Sequence, residues 1–283
     1  MSTTEIDLDP TTGTAPPGSR LDPGETTSPG GSAVVGSSRK TRWLARGAVL
    51  AATIALWWLG TQVLFAGNEV VSRMGPWSAI RELVAMLGRP ETWQAVSVSL
   101  GRLLLGLLLA LVVGAPLGLL LGSSRLAEHA TAPVVQLARM TSPLAWAPLV
   151  IVLLGSGGSA VVALVALAAT WPIVLGTSAG RRGIDQGALE VARTLGATRA
   201  ERVRTVIVPG VAVQLRTAVR VALGISWVVL VPAEMFGVTN GLGYAVLNAR
   251  DNIDYEALAA TMLLIGIVGY LLDVLARYGA RER

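Results

Sequence analysis

The sequence predicts an all-α polytopic membrane protein with about six transmembrane helices. Three observations carry this. The 283 residues are 52% hydrophobic and only 14% charged, with a mean hydropathy of +0.59. An average soluble domain carries about 25% charged residues, so this chain has too little charge to coat a soluble globule of its length. Apolar runs recur along it, each near the ~20 residues that a helix needs to cross the hydrocarbon core. Arginines gather in alternate connections between those runs, as cytoplasmic loops of membrane proteins collect positive charge.

Residues 1–38 are rich in Ser, Thr, Pro and Gly and contain no aromatic residue. They cannot bury enough apolar area to offset their ordering entropy and read as a disordered cytoplasmic tail. They are not a signal peptide, because the first apolar run starts too far in and is long enough to span. Arg39, Lys40, Arg42 and Arg46 form a basic cluster just before that run, 47–66, so residues 39–74 are read as the first transmembrane helix and its outer connection. Trp77, Ile80, Leu83, Val84 and Leu87 have helical apolar spacing. The stretch 77–88 is too short to span and is expected along the outer membrane surface.

Five further spans follow at 94–121, 133–154, 159–178, 210–236 and 256–276. The stretch 133–154 holds Pro133, Pro143 and Pro148, which a membrane helix tolerates where neighbours satisfy the freed carbonyls. Gly155-Ser156-Gly157-Gly158 is a short turn into the next span. The basic cluster places the N-terminus in the cytoplasm, and an even number of spans returns the C-terminus there with Arg277, Arg281 and Arg283. The segment between the fourth and fifth spans carries Arg181, Arg182, Arg193, Arg199, Arg202 and Arg204, so it too faces the cytoplasm. The connections expected outside hold only Arg73, Arg81, Arg89 and Arg250.

Several chemistries are excluded. With no cysteine and one histidine, a disulfide scaffold, a zinc ribbon and a multi-histidine metal or haem site fall away. The net charge is +5 and the pI about 10.4, but the arginines lie between apolar runs rather than on one polar face, which argues for a lipid bilayer and against nucleic acid. There is no GxxxxGK[ST] phosphate loop, so any ATP hydrolysis belongs to a partner. No nucleophile–base pair or carboxylate dyad has catalytic spacing. The chain reads as a non-enzyme without a cofactor. Asp251, Asp254 and Glu256 lack the glycine and terminal glutamate of a calcium loop and read as a solvated outer loop. His129 reads as a surface group in the turn before the third span. Trp57 and Trp58, with Trp43 and Trp77, read as lipid-facing or belt aromatics.

Two groups of residues remain. The cytoplasmic segment 181–209 parses by local physics. Asp185 is an N-cap. Leu189, Ala192 and Leu195 make an apolar stripe on the helix that follows. Gly196 stands where a left-handed C-cap belongs. Thr198 and Glu201 form a capping box that starts a second helix, with Val203, Val206 and Ile207 on one side. Pro209 marks the break into the fifth span. The plain reading is a loop packed on its own bundle; the other is a docking surface for a cytoplasmic partner. The second group is Arg102 and Glu234, each alone in apolar surroundings and expected to share a polar environment near the outer end of the bundle. For Glu234 the plain reading is a carboxylate solvated at headgroup level or capping a helix; an intramembrane ionisable group by default suggests function. Arg102 can snorkel outward, pair with Glu234, or guide an anion.

Glu190-Val191-Ala192, Gly196-Ala197 and Ile207-Val208-Pro209 resemble the EAA loop of binding-protein-dependent ABC importer permeases. Val191 departs from the usual alanine but keeps an apolar side chain. Ser142-Pro143-Leu144-Ala145-Trp146-Ala147-Pro148-Leu149, Ala233 to Gly237, Gly241 to Tyr244, Ala249-Arg250-Asp251 and Ile265 to Asp273 resemble the nitrate/sulfonate/taurine-type subfamily. The resemblance runs from about residue 75 to the end, which marks 75–283 as the permease core. Gly155 to Gly158 departs from it, since relatives often have a larger and more polar stretch there.

The resemblance implies the type I ABC importer permease fold in a bacterial plasma membrane. It also implies a homodimer of permeases, two cytoplasmic ATPase subunits and an extracytoplasmic solute-binding protein. Asp185, Leu189, Glu190, Ala192, Leu195, Gly196, Ala197, Ile207 and Pro209 become the loop that couples to the ATPase. The pathway would run between the fourth and fifth spans of the two copies. The cargo implied is a small anion: nitrate, sulfonate, taurine or bicarbonate. A thiamine-precursor-like heterocycle is the alternative cargo. A stand-alone secondary transporter or channel is the alternative class, and it would show inverted repeats and charged residues within several spans.

Overall fold

The computed structural model describes residues 39–65 and 67–281. The expected tail, 1–38, lies outside the described residues. The chain divides into a unit ending at Val49 and a unit from Leu50 to Arg283, and the second carries the fold. All regular structure among the described residues is helical.

Helix α1 spans Arg39–Leu59 and continues as a π-helical turn, Gly60–Leu64. Ile54, Leu56 and Trp58 on it are exposed, which suits a lipid-facing helix. Helix α2, Glu69–Arg73, is capped by the Asn68 side chain. Helix α3, Pro76–Leu87, starts with proline at its first turn, where the missing N–H is no loss. Its Ala79 and Leu83 are buried, while Trp77 and Val84 point away from the protein.

Helix α4 is Pro90–Leu121 and α7 is Gly158–Arg182. In lipid no hydrophobic force drives one helix against another, so close packing and small residues must do it. Gly106, Ala110, Gly114 and Gly118 recur every fourth residue along α4 and are all buried, and they let α7 approach. A Cβ on Gly106 would stand 2.5 Å from Val165 Cγ1. One on Gly118 would stand 2.5 Å from the Val174 carbonyl and 2.6 Å from Thr177 Cβ. The other side of α7 packs on α10, Val208–Gly237, where Gly180 lies against Val211 and Gln214. Thus α7 is the central helix, with Val161, Val165, Ala169 and Ile173 fully buried.

The structure departs from the sequence reading in four places. The expected third span is not straight: α5, Arg125–Met140, and the segment Pro143–Leu154 meet at 81°. That segment is a 3₁₀ turn, Pro143–Trp146, followed by α6, Ala147–Leu154. Pro143 disfavours the helical conformation at the preceding residue, and Ser142 has ψ 127°. Five helices are long and apolar enough to span, and six if the bent pair is one span. His129 lies within α5, not in a turn. Pro209 does not break the chain. Helix α9, Arg199–Arg202, passes through a π turn, Val203–Ile207, into α10 as one continuous 39-residue helix to Gly237. A proline ring collides with the carbonyl four residues back in an α-helix. Here the wider π register one turn earlier, with Val208 N–H donating to the Val203 carbonyl, makes room for it. Finally, the expected outer loop before the last span contains α11, Leu242–Asp251, then a tight turn in which Ile253 has φ 59°. The Asp254 carboxylate accepts the Ala257 N–H and so starts α12, Tyr255–Arg281.

Candidate functional site: a loop and a buried ion pair at opposite ends of the bundle

At one end of the bundle lies the loop between α7 and α10. The Asp185 carboxylate accepts the Gly187 N–H at 3.0 Å and caps α8, Gln186–Thr194. The Ala197 N–H donates to the Ala192 carbonyl at 3.0 Å and the Gly196 N–H to the Arg193 carbonyl at 2.9 Å. This is the Schellman closure, and it holds Gly196 at φ +77°. Thr198 then opens α9: Glu201 N–H donates to Thr198 Oγ1 at 3.2 Å, and Thr198 N–H donates back to Glu201 Oε2 at 2.7 Å. The end of one helix and the start of the next are therefore fixed by four short-range hydrogen bonds.

The apolar stripe on α8 divides. Leu189 is 7% exposed and packs with Ile184 and Val211 against Leu119, Val206, Ile207 and Leu215. Most of its surface is spent on its own bundle; the 3.6-residue period gives the stripe but not which way the helix is turned. Leu195 is 80% exposed and Val191, the departure from the EAA pattern, is 60% exposed. Glu190 is exposed, and Ala192, Ala197 and Ile207 are half-buried. Pro209 sits in the first turn of α10.

At the opposite end, α4, α10 and α11 meet around Glu234, which is 0% exposed. Its carboxylate is buried rather than solvated. Arg102 Nη1 donates to Glu234 Oε1 at 2.7 Å, with the Arg102 side chain 10% exposed. Ser99 Oγ donates to both carboxylate oxygens at 2.9 and 2.8 Å and accepts the Leu242 N–H at 2.8 Å. The Gly243 N–H donates to Glu234 Oε2 at 2.9 Å. Arg102 also donates to the Asn240 carbonyl at 2.9 Å and, through Nη2, to Asn240 Oδ1. Glu234 thus caps α11 at its N-terminus, where free N–H groups favour a negative charge. Gly241, at φ +109°, and Gly243 let the backbone reach it; a Cβ on Gly243 would stand 2.7 Å from Glu234 Cβ.

The sequence reading named Arg102 and Glu234 but not Ser99 or α11, and took Asn240 only as a sign of the membrane interface, not as a partner of the pair. Ser99 lies three residues before Arg102, on the same helix face, and that spacing was the available signal. It also overlooked charge deeper in the spans. Arg220 on α10 donates to Asp273 Oδ1 on α12 at 3.1 Å, and Arg277 lies 2.6 Å from Asp273 Oδ2. Charged residues do occur on several spans, but these ones pair with each other.

Two features therefore stand out in this helical membrane bundle: a buried cross-helix ion pair at one end and a capped, partly apolar loop at the other. The sequence profile of the family described as "Binding-protein-dependent transport system inner membrane component" matches residues 114–281, and the chain belongs to that family. It is 30% identical over 234 residues to the taurine transport system permease protein TauC of Escherichia coli, covering 80% of this chain and 83% of that protein. It is 33% identical over 220 residues to the putative aliphatic sulfonates transport permease protein SsuC of Escherichia coli, covering 78% and 80%. With the nitrate import permease protein NrtB of Leptolyngbya laminosa it shares 31% over 186 residues, 66% of each. Its fold matches that of a solved structure of the methionine ABC transporter MetNI in inward facing conformations, with a TM-score of 0.57 at 20% identity over 73% of this chain and 96% of that one. The chain is the membrane permease subunit of an ABC importer, a transport subunit whose ATPase is a separate polypeptide. The family implies an ATPase and a solute-binding protein as partners.

Proposed function

We propose that this permease imports a small anion, in the class of taurine, other sulfonates, nitrate or bicarbonate, and that two copies of it form the pathway. The similarity to permeases named for taurine, sulfonates and nitrate supports the cargo class. The loop 181–209 and both termini face the cytoplasm, as the arginine distribution favours, and the core 75–283 does the work of the permease. The observation that carries the mechanism is the loop itself. It is stiffened by its own caps, seated on the bundle through Leu189, and presents Val191 and Leu195 outward. Asp185, Glu190, Ala192, Gly196, Ala197, Ile207 and Pro209 hold that shape.

An ATPase surface gripping Leu195 would move α8 and α9 together. Because α9 continues into α10 as one helix to Gly237, the displacement reaches Glu234 at the far end of the bundle. Rigid-body movement of this kind is how alternating access is switched. Arg102 and Glu234 act as the latch that ties α10 to α4 at that far end.

The test is reconstitution of the permease with its ATPase subunit and solute-binding protein in proteoliposomes. ATP-dependent uptake of labelled taurine, another sulfonate, nitrate or bicarbonate, requiring all three components, is expected. Uptake without ATP, or uptake only of a thiamine-precursor heterocycle, overturns the reading. For orientation, Ala200→Cys in this cysteine-free chain resists impermeant thiol reagents in intact cells, and Asn252→Cys is labelled. The reverse pattern overturns the assigned topology.

A further inference from the structure

The loop encloses more than a docking helix. Between the end of α7, α8, α9 and the π turn lies a cavity of about 730 Å³, lined by Arg181, Arg193, Arg199 and Arg202 over a floor that includes Leu189 and Ile207. No acidic side chain lines it among the described residues. Arg202 Nε is shielded from solvent and has no hydrogen-bond partner among the described residues. A buried donor on a cation is costly to leave unpaired, and four like charges around one space repel one another. Such a site favours an acceptor supplied from outside the chain. At the far end of the bundle, by contrast, Arg102 has three acceptors within the protein.

We propose that the cavity receives an acidic segment of the ATPase subunit, one or more Asp or Glu side chains, while Val191 and Leu195 pack on an apolar patch beside it. This rests on the coupling role of the loop proposed above and adds the chemistry of its partner surface. Guanidinium groups bind carboxylates in paired, planar contacts. The cavity is far larger than the ~30 Å³ of a water molecule, so its volume suits a side chain carried on a protein segment better than a free inorganic anion. Leu195 at 80% exposure and Val191 at 60%, on the helix that supplies Arg193, point to a protein surface rather than to a lipid headgroup alone.

The experiment measures the affinity of the purified ATPase subunit for the permease in nanodiscs of neutral phosphatidylcholine, at ~0.05 M and ~0.5 M salt. The Arg193→Glu/Arg199→Glu double variant is expected to bind at least ~30-fold more weakly. The Arg193→Lys/Arg199→Lys variant recovers most of that loss, and wild-type affinity falls with salt. Leu195→Asp tests the underlying docking. If Leu195→Asp weakens binding while the charge-reversed variant and salt leave it unchanged, the acidic partner surface is wrong and the docking stands. If Leu195→Asp changes nothing, both fall. If charge reversal spares ATPase affinity in phosphatidylcholine nanodiscs and lowers it only when the nanodiscs contain phosphatidylglycerol, the cavity serves lipid and the proposal is overturned. Should the charge-reversed variant not fold, the Arg193→Gln/Arg199→Gln variant decides by the same readings.

Discussion

The two ends of this bundle treat charge in opposite ways. Around Glu234, a cation, a hydroxyl and a helix N-terminus converge on one carboxylate inside the protein. Around the loop, four arginines line a cavity with no acidic side chain among the described residues, and two large apolar side chains stand exposed. A closed polar network specifies a unique packing but offers no handle. An open one costs local stability and keeps its interactions for another molecule. The difference teaches where to look for structure and where to look for recognition.

That contrast breaks most directly by removing one arginine from each end. Arg102→Ala leaves the buried Glu234 carboxylate without its cation and is expected to destabilise the protein by about 3–5 kcal/mol. Arg193→Ala, on the exposed loop, is expected to stay within about 0.5 kcal/mol. Thermal unfolding of the two purified variants makes the comparison, and equal melting shifts would erase the distinction between the ends. The pair itself need not be a net stabiliser, since desolvating two charges offsets much of their attraction. The large effect comes from stranding one of them.

Ser99→Ala sharpens the same point with a neutral group. The hydroxyl both donates to Glu234 and accepts from Leu242 N–H, so its loss strands a buried backbone donor at about 1–3 kcal/mol. Hydrogen exchange at Leu242 and along α11 reports it, and unchanged protection there would mean that α11 is held by packing alone.

At the loop the expected effects are smaller on stability and larger on coupling. A Cβ on Gly196 meets no atom within 4 Å, but the residue sits at φ +77°. Gly196→Val therefore costs about 1–2 kcal/mol through backbone strain alone, leaves the bundle inserted, and sharply lowers transport and substrate-stimulated ATP hydrolysis. Gly196→Asn, which tolerates that conformation, retains most of both. Equal loss in the two variants would point to a role other than conformation. Smallest of all, Thr198→Ala removes the capping box at about 1 kcal/mol. Stimulated ATPase activity is expected to fall modestly, and an unchanged value would show that α10 holds α9 without its cap.

Much of this was readable beforehand because it is local. Asp185, Gly196 and the Thr198–Glu201 box are chemistry within a few residues, and the structure shows each cap with the partners that local rules assign. The same locality misled at Pro209. A proline announces trouble in a helix but not the remedy, and a π turn absorbed it without ending the helix. At Pro143 the remedy was a bend of 81°.

By itself the sequence determined the class, the number of long apolar runs, the caps of the loop and the arginine asymmetry, because composition, hydrophobic length and hydrogen bonds between near neighbours need no knowledge of the rest of the chain. Only the tertiary structure decided that Leu189 turns inward while Leu195 turns out, and that the glycines of α4 face α7. It alone shows Ser99, Asn240 and the α11 N-terminus converging on Glu234. These depend on the rotation of each helix about its axis and on contacts between residues more than a hundred positions apart, and helical periodicity fixes the spacing of a face but not its direction.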